Sequence, residues 1–438
     1  MNHPGHPFEQ APPARPEFGA QIAAARPAAP AMWWRNLLAS AAAFGFGLVL
    51  QFNPLSATWH LPFLRLSDAM LFVTIFAMIP VLTPRLLRGG AGILGVMFVV
   101  TLMTVRLKAA PGPGDTYFSL TFFASAVAGY LWAAAISRDQ RFAVFFSFGW
   151  LIGLVLAVMV LFLRASGLDL TPVGLGVPVP PMSLSAMLAM VKPGGLWVHG
   201  NEAGHVFALA GAPALYLAMR FKRPIIYLAY YIVFLASFTI TLNRGGMIAP
   251  TAGLAIAYLA AGQGEVLLKI TLGFAGLLIV LAGLYFLPQF ETVRETLSHR
   301  FLADSNLNNN AGERFSSLSA GVLTAFNHPF GIGNTQRVIE MTFLARGVAT
   351  PHNAFITLAF QSGLLPVGLY IASLVKLLSK PANRTSLVGL IAAFALPSMF
   401  FEELTINPVF LFTIALTIAA AWRPAPAASR SKLQPAYR

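Results

Sequence analysis

Residues 142–163 read FAVFFSFGWLIGLVLAVMVLFL, an apolar run without a charged side chain. About 20 such residues make a helix long enough to cross a bilayer. Each such run must be a helix, because lipid offers no hydrogen-bond partner to the backbone. Similar runs recur, and we predict about twelve transmembrane helices near residues 37–57, 68–84, 88–106, 117–136, 142–163, 204–219, 224–241, 246–262, 266–287, 352–375, 386–401 and 408–422.

The composition also indicates that lipid is the solvent. Hydrophobic residues make up 57% of the chain and charged residues only 10%, whereas soluble domains carry about 25% charged residues. The net charge of +14 is better explained by topology signals and anionic lipid than by nucleic acid, since the basic residues lie mostly between apolar runs. The predicted fold class is therefore an all-α polytopic membrane protein that binds no nucleic acid.

The basic residues predict an orientation with both ends in the cytoplasm. With alternating spans, 18 of the 29 lysines and arginines lie in the tails and the short inner loops. Residues 1–32 and 423–438 are rich in Pro, Ala or charge and are expected to be disordered cytoplasmic tails. The transmembrane domain then covers residues 33–422. The absence of cysteine excludes disulfides, thiolate zinc sites and a cysteine nucleophile.

Two outer segments are long, at about residues 164–203 and 288–351. The apolar stretch Met182–Val191 predicts a short interfacial helix in the first. In the second we predict an Asn-rich turn at Asn306–Asn310, an amphipathic helix at Arg314–Phe326 and a Gly-rich turn at residues 330–334. A structureless loop of this length is unusual, so this segment is expected to be packed and functional.

Two residues at predicted outer helix ends are candidates for chemistry. Arg244 lies in a glycine-containing turn between two spans, where function competes with a snorkelling arginine at a helix end. His352 follows Pro351 at the start of the tenth span. The positive end of a helix favours a neutral imidazole, the form that a general base needs, although an interfacial structural histidine fits the pattern as well.

Other polar residues fall on the same predicted face. Arg314 suits phosphate because its planar fork bonds two oxygens, and the alternative is a solvated arginine paired with an acid. The loop around it also holds Arg294, Arg300, Arg337 and Arg346, which together suggest an anionic ligand. Glu402 and Glu403 follow the eleventh span, and Asn201 and Glu202 open the sixth. The nearby histidines, His199 and His205, lack the spacing of a metal site, so no metal is expected.

The order of these motifs resembles the O-antigen ligase and polymerase superfamily of bacterial membrane glycosyltransferases. The resemblance rests on residues 351–358 (PHNAFITL) with 361–369 (QSGLLPVGL), on 243–246 (NRGG), and on Arg314 with 329–333 (PFGIG). It implies a GT-C-like helical bundle with a helical periplasmic loop in the bacterial inner membrane.

The resemblance also implies a reaction and the residues that perform it. The donor would be a glycan on undecaprenyl pyrophosphate, used at the periplasmic face without metal or cofactor. Arg244 and Arg314 would bind the pyrophosphate, and His352 would deprotonate or position the acceptor hydroxyl. Substrate contacts are expected from Asn353, Asn201, Glu402, Glu403 and Arg300.

Several activities remain open on this scaffold. A ligase would transfer the glycan to lipid A–core, a polymerase to another lipid-linked repeat unit, and a protein O-oligosaccharyltransferase to serine or threonine. We favour the ligase slightly. A lipid or polysaccharide transporter is the alternative of another class, but the sequence has no clear internal repeat and almost no charge at mid-span.

Overall fold

The computed structural model describes residues 30–51, 73, 124, 127–129, 131–133, 135, 140–168, 170, 200–241, 243–261, 265, 267–273, 275–276, 304–333, 343, 351–401 and 407–422. Every regular element in these ranges is a helix, which confirms the all-α prediction. The described residues do not include the third predicted span, the second span apart from residue 73, most of the 164–203 segment, or residues 1–29 and 423–438 of the tails.

The described helices are named in chain order. They are α1 (Pro30–Val49), α2 (Gln140–Ala165), α3 (Gly200–Leu209), α4 (Gly211–Phe221), α5 (Ile225–Thr241), α6 (Arg244–Ala261), α7 (Asp304–Asn327), α8 (Ala354–Ser362), α9 (Leu364–Ser379), α10 (Pro381–Arg384), α11 (Leu387–Phe401) and α12 (Pro408–Ala421). The first helix begins at Pro30, inside the predicted tail of residues 1–32, because proline suits the first turn of a helix.

Among the described helices, α2 alone is long and apolar enough to cross a membrane by length and composition. Its 26 residues exceed the minimum for a span. Six further apolar stretches are 10–17 residues long, and they lie in α1, α5, α6, α9, α11 and α12. The all-helical class is thus shown for the described residues, while the number of spans is not established.

Helices α1 and α2 pack closely because glycines face the partner backbone. A Cβ atom on Gly47 would lie 2.9 Å from the backbone nitrogen of Trp150, and a Cβ on Gly149 would overlap the carbonyl oxygen of Phe44. Aromatic rings fill the adjacent core, with Phe146 and Trp150 edge to face at a centroid distance of 5.2 Å. Close backbone approach through small residues is the usual way that helices associate in lipid.

The segment predicted as the sixth span is two helices, α3 and α4, which meet at Ala210. Pro213 lacks the backbone N–H that would bond to Leu209 four residues earlier, so the ladder is interrupted there. The Tyr230 hydroxyl of α5 donates to the carbonyl oxygens of Ala208, at 2.9 Å, and Phe207, at 3.3 Å. These bonds supply carbonyls at the end of α3 with a partner from a neighbouring helix.

The segment predicted as the tenth span is also broken. Gly363 has a φ of 97°, which ends α8, and α9 begins at the next residue. The chain at 329–333 pairs with this break. Ile332 N–H donates to Phe360 O at 2.7 Å, and Leu364 N–H donates to Pro329 O at 2.9 Å. The predicted glycine-rich turn thus forms backbone hydrogen bonds with the interrupted helix.

Helix α7 is longer than predicted. The predicted turn at Asn306–Asn310 is wrong, since these residues belong to the helix. Asparagine costs at most about 0.7 kcal/mol relative to alanine in a helix interior, which the rest of a 24-residue helix can offset. The C-terminal part of α7 runs beside α8 in the same direction. A Cβ on Gly321 would lie 2.6 Å from atoms of both Pro351 and Ile356.

Candidate functional site

Three asparagines precede helices and cap them in the same way. The Oδ1 atom of Asn243 accepts from Gly246 N–H at 3.1 Å at the start of α6. Asn353 accepts from Ile356 N–H at 3.1 Å at the start of α8, and Asn407 accepts from Val409 N–H at 2.9 Å at the start of α12. Each bond satisfies one of the amide groups that a helix N-terminus leaves without an internal partner.

The side-chain nitrogen of each of these asparagines donates a hydrogen bond to another helix. Asn243 Nδ2 donates to the carbonyl oxygen of Asn201 at 2.5 Å, and Asn353 Nδ2 donates to that of Phe400 at 3.3 Å. Asn407 Nδ2 donates to Oε1 of Glu202 at 2.7 Å. These bonds hold the starts of α3, α6 and α12 together, and they join the start of α8 to the end of α11. All five helix ends lie at one end of the bundle, which we call the cap end.

Glycines make this close assembly possible. A Cβ on Gly204 would lie 2.7 Å from Nδ2 of Asn243, and a Cβ on Gly246 would lie 2.9 Å from both this atom and the carbonyl carbon of Gly204. A Cβ on Gly245 would lie 3.0 Å from the Cβ of Phe401 and 3.0 Å from Cε1 of His205. The glycines of the Arg244 turn therefore provide room for α3 and α11.

Arg244 is the first residue of α6 and directly follows the Asn243 cap, which places its backbone at the cap end. Its side chain is not among the described atoms. A cation at a helix N-terminus gains nothing from the helix dipole, whereas an anion there is attracted by the dipole and by the guanidinium together. This position therefore suits Arg244 to an anionic ligand.

His352 lies at the same end, one residue before the Asn353 cap of α8, and its side chain is exposed. On one side Pro351 packs against Gly321 of α7, and on the other Asn353 bonds to the end of α11. The backbone on both sides of His352 is thus fixed, while its imidazole faces outward. Because it precedes a helix N-terminus, the helix dipole opposes a positive charge on the ring.

Arg314 reaches the cap end along α7. It precedes Gly321 by seven residues, so it lies two helical turns, or about 10 Å, from the contact with Pro351. Because α7 and α8 run in the same direction, this displacement carries Arg314 beyond the start of α8. Its side chain is exposed, and its carbonyl oxygen accepts from the Ser317 hydroxyl at 3.0 Å.

Of the other predicted site residues, the structure describes Asn353 and Asn201 but not Arg300, Glu402 and Glu403. Asn353 and Asn201 take part in the helix contacts above, through the side-chain amide of Asn353 and the carbonyl oxygen of Asn201. Asn353 thus has a structural role that the sequence did not reveal. Arg300, Glu402 and Glu403 lie outside the described residues. In the described part of the chain, no group of three His, Cys, Asp or Glu side chains could hold a metal ion.

Three residues at the cap end were not predicted as site residues. Asn407 and Glu202 connect α12 to α3, and His205 is fully buried beside the Arg244 turn. Asn407 carries a recognisable signal, since asparagine followed by proline marks a helix start. Nothing in the sequence indicates its pairing with Glu202.

Among known proteins, no family model and no curated protein matches this chain.

Proposed function

We propose that this protein is an inverting membrane glycosyltransferase that moves a glycan from undecaprenyl pyrophosphate to an acceptor hydroxyl at the periplasmic face of a bacterial inner membrane. The first choice of acceptor is lipid A–core, which makes it an O-antigen ligase. A polymerase that extends a second lipid-linked repeat is the alternative on the same scaffold.

The observation that carries this proposal is the cap end itself. The Asn243 and Asn407 bonds join the N-termini of α3, α6 and α12, and the Asn353 bond joins the N-terminus of α8 to the end of α11, which lies against Gly245 of α6. Each N-terminus presents about half a positive charge and amide donors to the same region. Two arginines carry full charges: Arg244, whose backbone lies at the cap end, and Arg314, which lies about 10 Å along α7 from the contact with Pro351. A pyrophosphate, which is a polyanion with several acceptor oxygens, is the ligand chemistry that such an end favours.

The reaction follows from this electrostatics. The acceptor oxygen attacks the anomeric carbon as the bond from that carbon to the pyrophosphate oxygen breaks, and the leaving pyrophosphate keeps the electron pair. Its growing negative charge is stabilised by the arginines and the helix N-termini without a metal. The acceptor proton passes to His352, whose exposed imidazole lies just before the start of α8. Attack from the face opposite the leaving group inverts the sugar carbon.

Features at the opposite end of the bundle support the proposed orientation. Arg220 lies in the last turn of α4 there, Lys222 and Arg223 follow the helix, and all three are exposed. At the ends of α9 and α12, the Lys376 ammonium lies 3.8 Å from the ring centre of Trp422. Basic residues near helix ends are typical of the cytoplasmic side of a membrane, whereas tryptophan is typical of either membrane interface. With about twelve spans, this orientation puts the cap end on the periplasmic side.

Deletion of the gene and analysis of the surface glycans test the proposal. Loss of glycan from lipid A–core with accumulation of long lipid-linked polymer supports a ligase. Single repeat units on lipid A–core instead support a polymerase. Unchanged surface glycans in a strain that normally makes them would overturn both. Transfer by the purified protein in vesicles, from a lipid-pyrophosphate glycan to purified acceptor, provides the direct assay.

A lipid or polysaccharide transporter is the second candidate, favoured by the helix break at Gly363. Interrupted helices with locally paired backbone are used by transporters to build binding sites within the membrane. The two candidates differ in chemistry. A transporter moves its substrate across sealed vesicles with every covalent bond intact, whereas the transferase releases undecaprenyl pyrophosphate. Release of that lipid in step with glycan transfer would exclude transport as the primary function.

A further inference from the structure

Helix α7 has two different faces along its C-terminal half. Ser317, Gly321, Thr324 and Ala325 are buried, and they form the side that packs toward α8. The other side carries the large exposed apolar residues Phe315, Val322, Leu323 and Phe326, the last at 68% exposure. After the exposed polar residues Asn327 and His328, Phe330 continues this stripe in the turn that follows the helix, at 64% exposure. An exposed stripe of this kind marks an interaction surface.

The position of this stripe relative to α8 indicates its depth. Pro329, Ile332 and Gly333 form backbone bonds with the stretch from Phe360 to Leu364. That stretch lies six to ten residues after the start of α8, which is about 9–15 Å along a helix axis. Half of a bilayer's hydrocarbon core is about 15 Å thick. If α8 and α9 form a span that starts at the periplasmic surface, Phe330 lies near the middle of the bilayer.

The sequence of this segment fits such a depth. Residues 315–336 contain no Asp, Glu, Lys or Arg, whereas Glu313 and Arg314 lie immediately before them. Irregular backbone is tolerated at membrane depth only where protein or enclosed water satisfies its polar groups. The bonds from Ile332 N–H to Phe360 O, from Gly333 N–H to Gln361 O and from Leu364 N–H to Pro329 O provide this satisfaction.

We propose that the C-terminal half of α7 and the turn at 329–333 form a re-entrant segment whose exposed apolar stripe contacts lipid acyl chains of the outer leaflet. This rests on the membrane placement of the proposed function, and it changes the predicted periplasmic loop into a partly embedded one. Glu313 and Arg314 then lie at the level of the lipid phosphates. The same helix thus carries Arg314 to the height at which a lipid-linked pyrophosphate is located.

Spin labels on single cysteines test this placement, since the chain has no cysteine of its own. The full chain is reconstituted in vesicles of phosphatidylethanolamine and phosphatidylglycerol. The variants are Leu323→Cys, Phe326→Cys and Phe330→Cys on the stripe, and Glu313→Cys above it. Met159→Cys on α2 is the matched control for a lipid-facing residue, because its side chain is 55% exposed and it lies six residues before the end of the longest apolar helix among the described residues. Collisions with oxygen, which partitions into lipid, are compared with collisions with a water-soluble nickel chelate.

The expected result is oxygen-dominated relaxation at 323, 326 and 330, increasing toward 330, and nickel-dominated relaxation at 313. Nickel access at 326 and 330 would overturn the proposal in favour of a water-exposed loop. Protection from both reagents would also overturn it, because another protein surface would then cover the stripe. If Met159→Cys is also nickel-accessible, the membrane placement itself fails, which separates that failure from one confined to α7. Monodisperse gel filtration in detergent confirms that each variant is folded.

Discussion

Asn407 and Glu202 are joined by a 2.7 Å hydrogen bond between Nδ2 and Oε1, although 205 residues separate them in the chain. The bond connects the start of α12 to the start of α3. Asn407 is 1% exposed, so its amide has little access to water. This pair is one of three asparagine links at the cap end, of which two join helix N-termini and the third joins the start of α8 to the end of α11.

Removal of the Glu202 carboxylate is therefore expected to destabilise the protein. Glu202→Ala leaves the buried Asn407 amide without this acceptor, which costs about 1–3 kcal/mol of unfolding free energy. Glu202→Gln keeps an acceptor oxygen and should lose much less. Thermal unfolding in detergent measures both. Glu265→Ala is the control, because its bond to Lys269 is exposed; an equal loss in Glu265→Ala and Glu202→Ala would contradict the role of the buried link.

Two glycines are expected to respond oppositely to alanine. Gly246→Ala places a Cβ 2.9 Å from both Asn243 Nδ2 and the Gly204 backbone, so overpacking should cost about 1–3 kcal/mol. Gly368→Ala on α9 meets nothing within 4 Å and should stabilise by about 0.5–1 kcal/mol. The melting temperatures of the two variants decide the matter. A Gly246→Ala variant as stable as the wild type would show that α3 and α6 are less closely packed than described.

His352 is expected to matter for the chemical step. His352→Ala should reduce glycan transfer by about 10²–10⁴-fold, the usual contribution of a general base, while binding of the lipid-pyrophosphate donor stays nearly intact. The measurement is a reconstituted transfer assay combined with a donor-binding assay. His328→Ala is the matched control, since His328 is also exposed but lies at the other end of the α7–α8 contact. Transfer by His352→Ala within a few-fold of the control would remove His352 from catalysis.

Arg244 and Arg314 are expected to bind one pyrophosphate from two sides. Lysine should rescue neither position fully, because a point charge cannot replace the planar fork. Loss of either arginine should lower kcat/KM for the donor by the equivalent of about 1.5–3 kcal/mol. If both groups bind the same ligand, the free-energy loss in the double variant should be smaller than the sum of the losses in the two single variants. Arg220→Lys, at the opposite end, is the control. Strictly additive losses would indicate two separate sites.

The orientation is tested by labelling single cysteines in intact spheroplasts with an impermeant maleimide. Single cysteines introduced into residues 1–32 and 423–438 should be protected from the reagent, whereas Glu313→Cys in the outer segment should react. Permeabilised cells provide the control, since all sites should then react. Labelling of the tails with protection of position 313 would reverse the orientation and move the cap end to the cytoplasm.

Much of the local structure follows from the sequence because it depends on neighbouring residues. The apolar runs predicted helices, and α5, α6, α11 and α12 lie close to the predicted spans. Arg244 was expected in a turn between two spans and His352 in the first turn of a helix, because turn glycines and an initial proline are local signals. In the structure Arg244 is the first residue of α6, and His352 lies just before the Asn353 cap of α8. The breaks at Ala210 and Gly363 were missed, since hydropathy does not change across them.

The sequence by itself determined that this chain is helical and roughly where α5, α6, α11 and α12 lie. Only the tertiary structure decided which helix ends meet. Glu202 with Asn407 and Asn353 with Phe400 are bonded across 205 and 47 residues, and Gly321 of α7 packs against Pro351. A helix satisfies its interior backbone from residues four positions away, so its presence is a local property. Its ends must find partners elsewhere, and those partners are set by how all the helices pack.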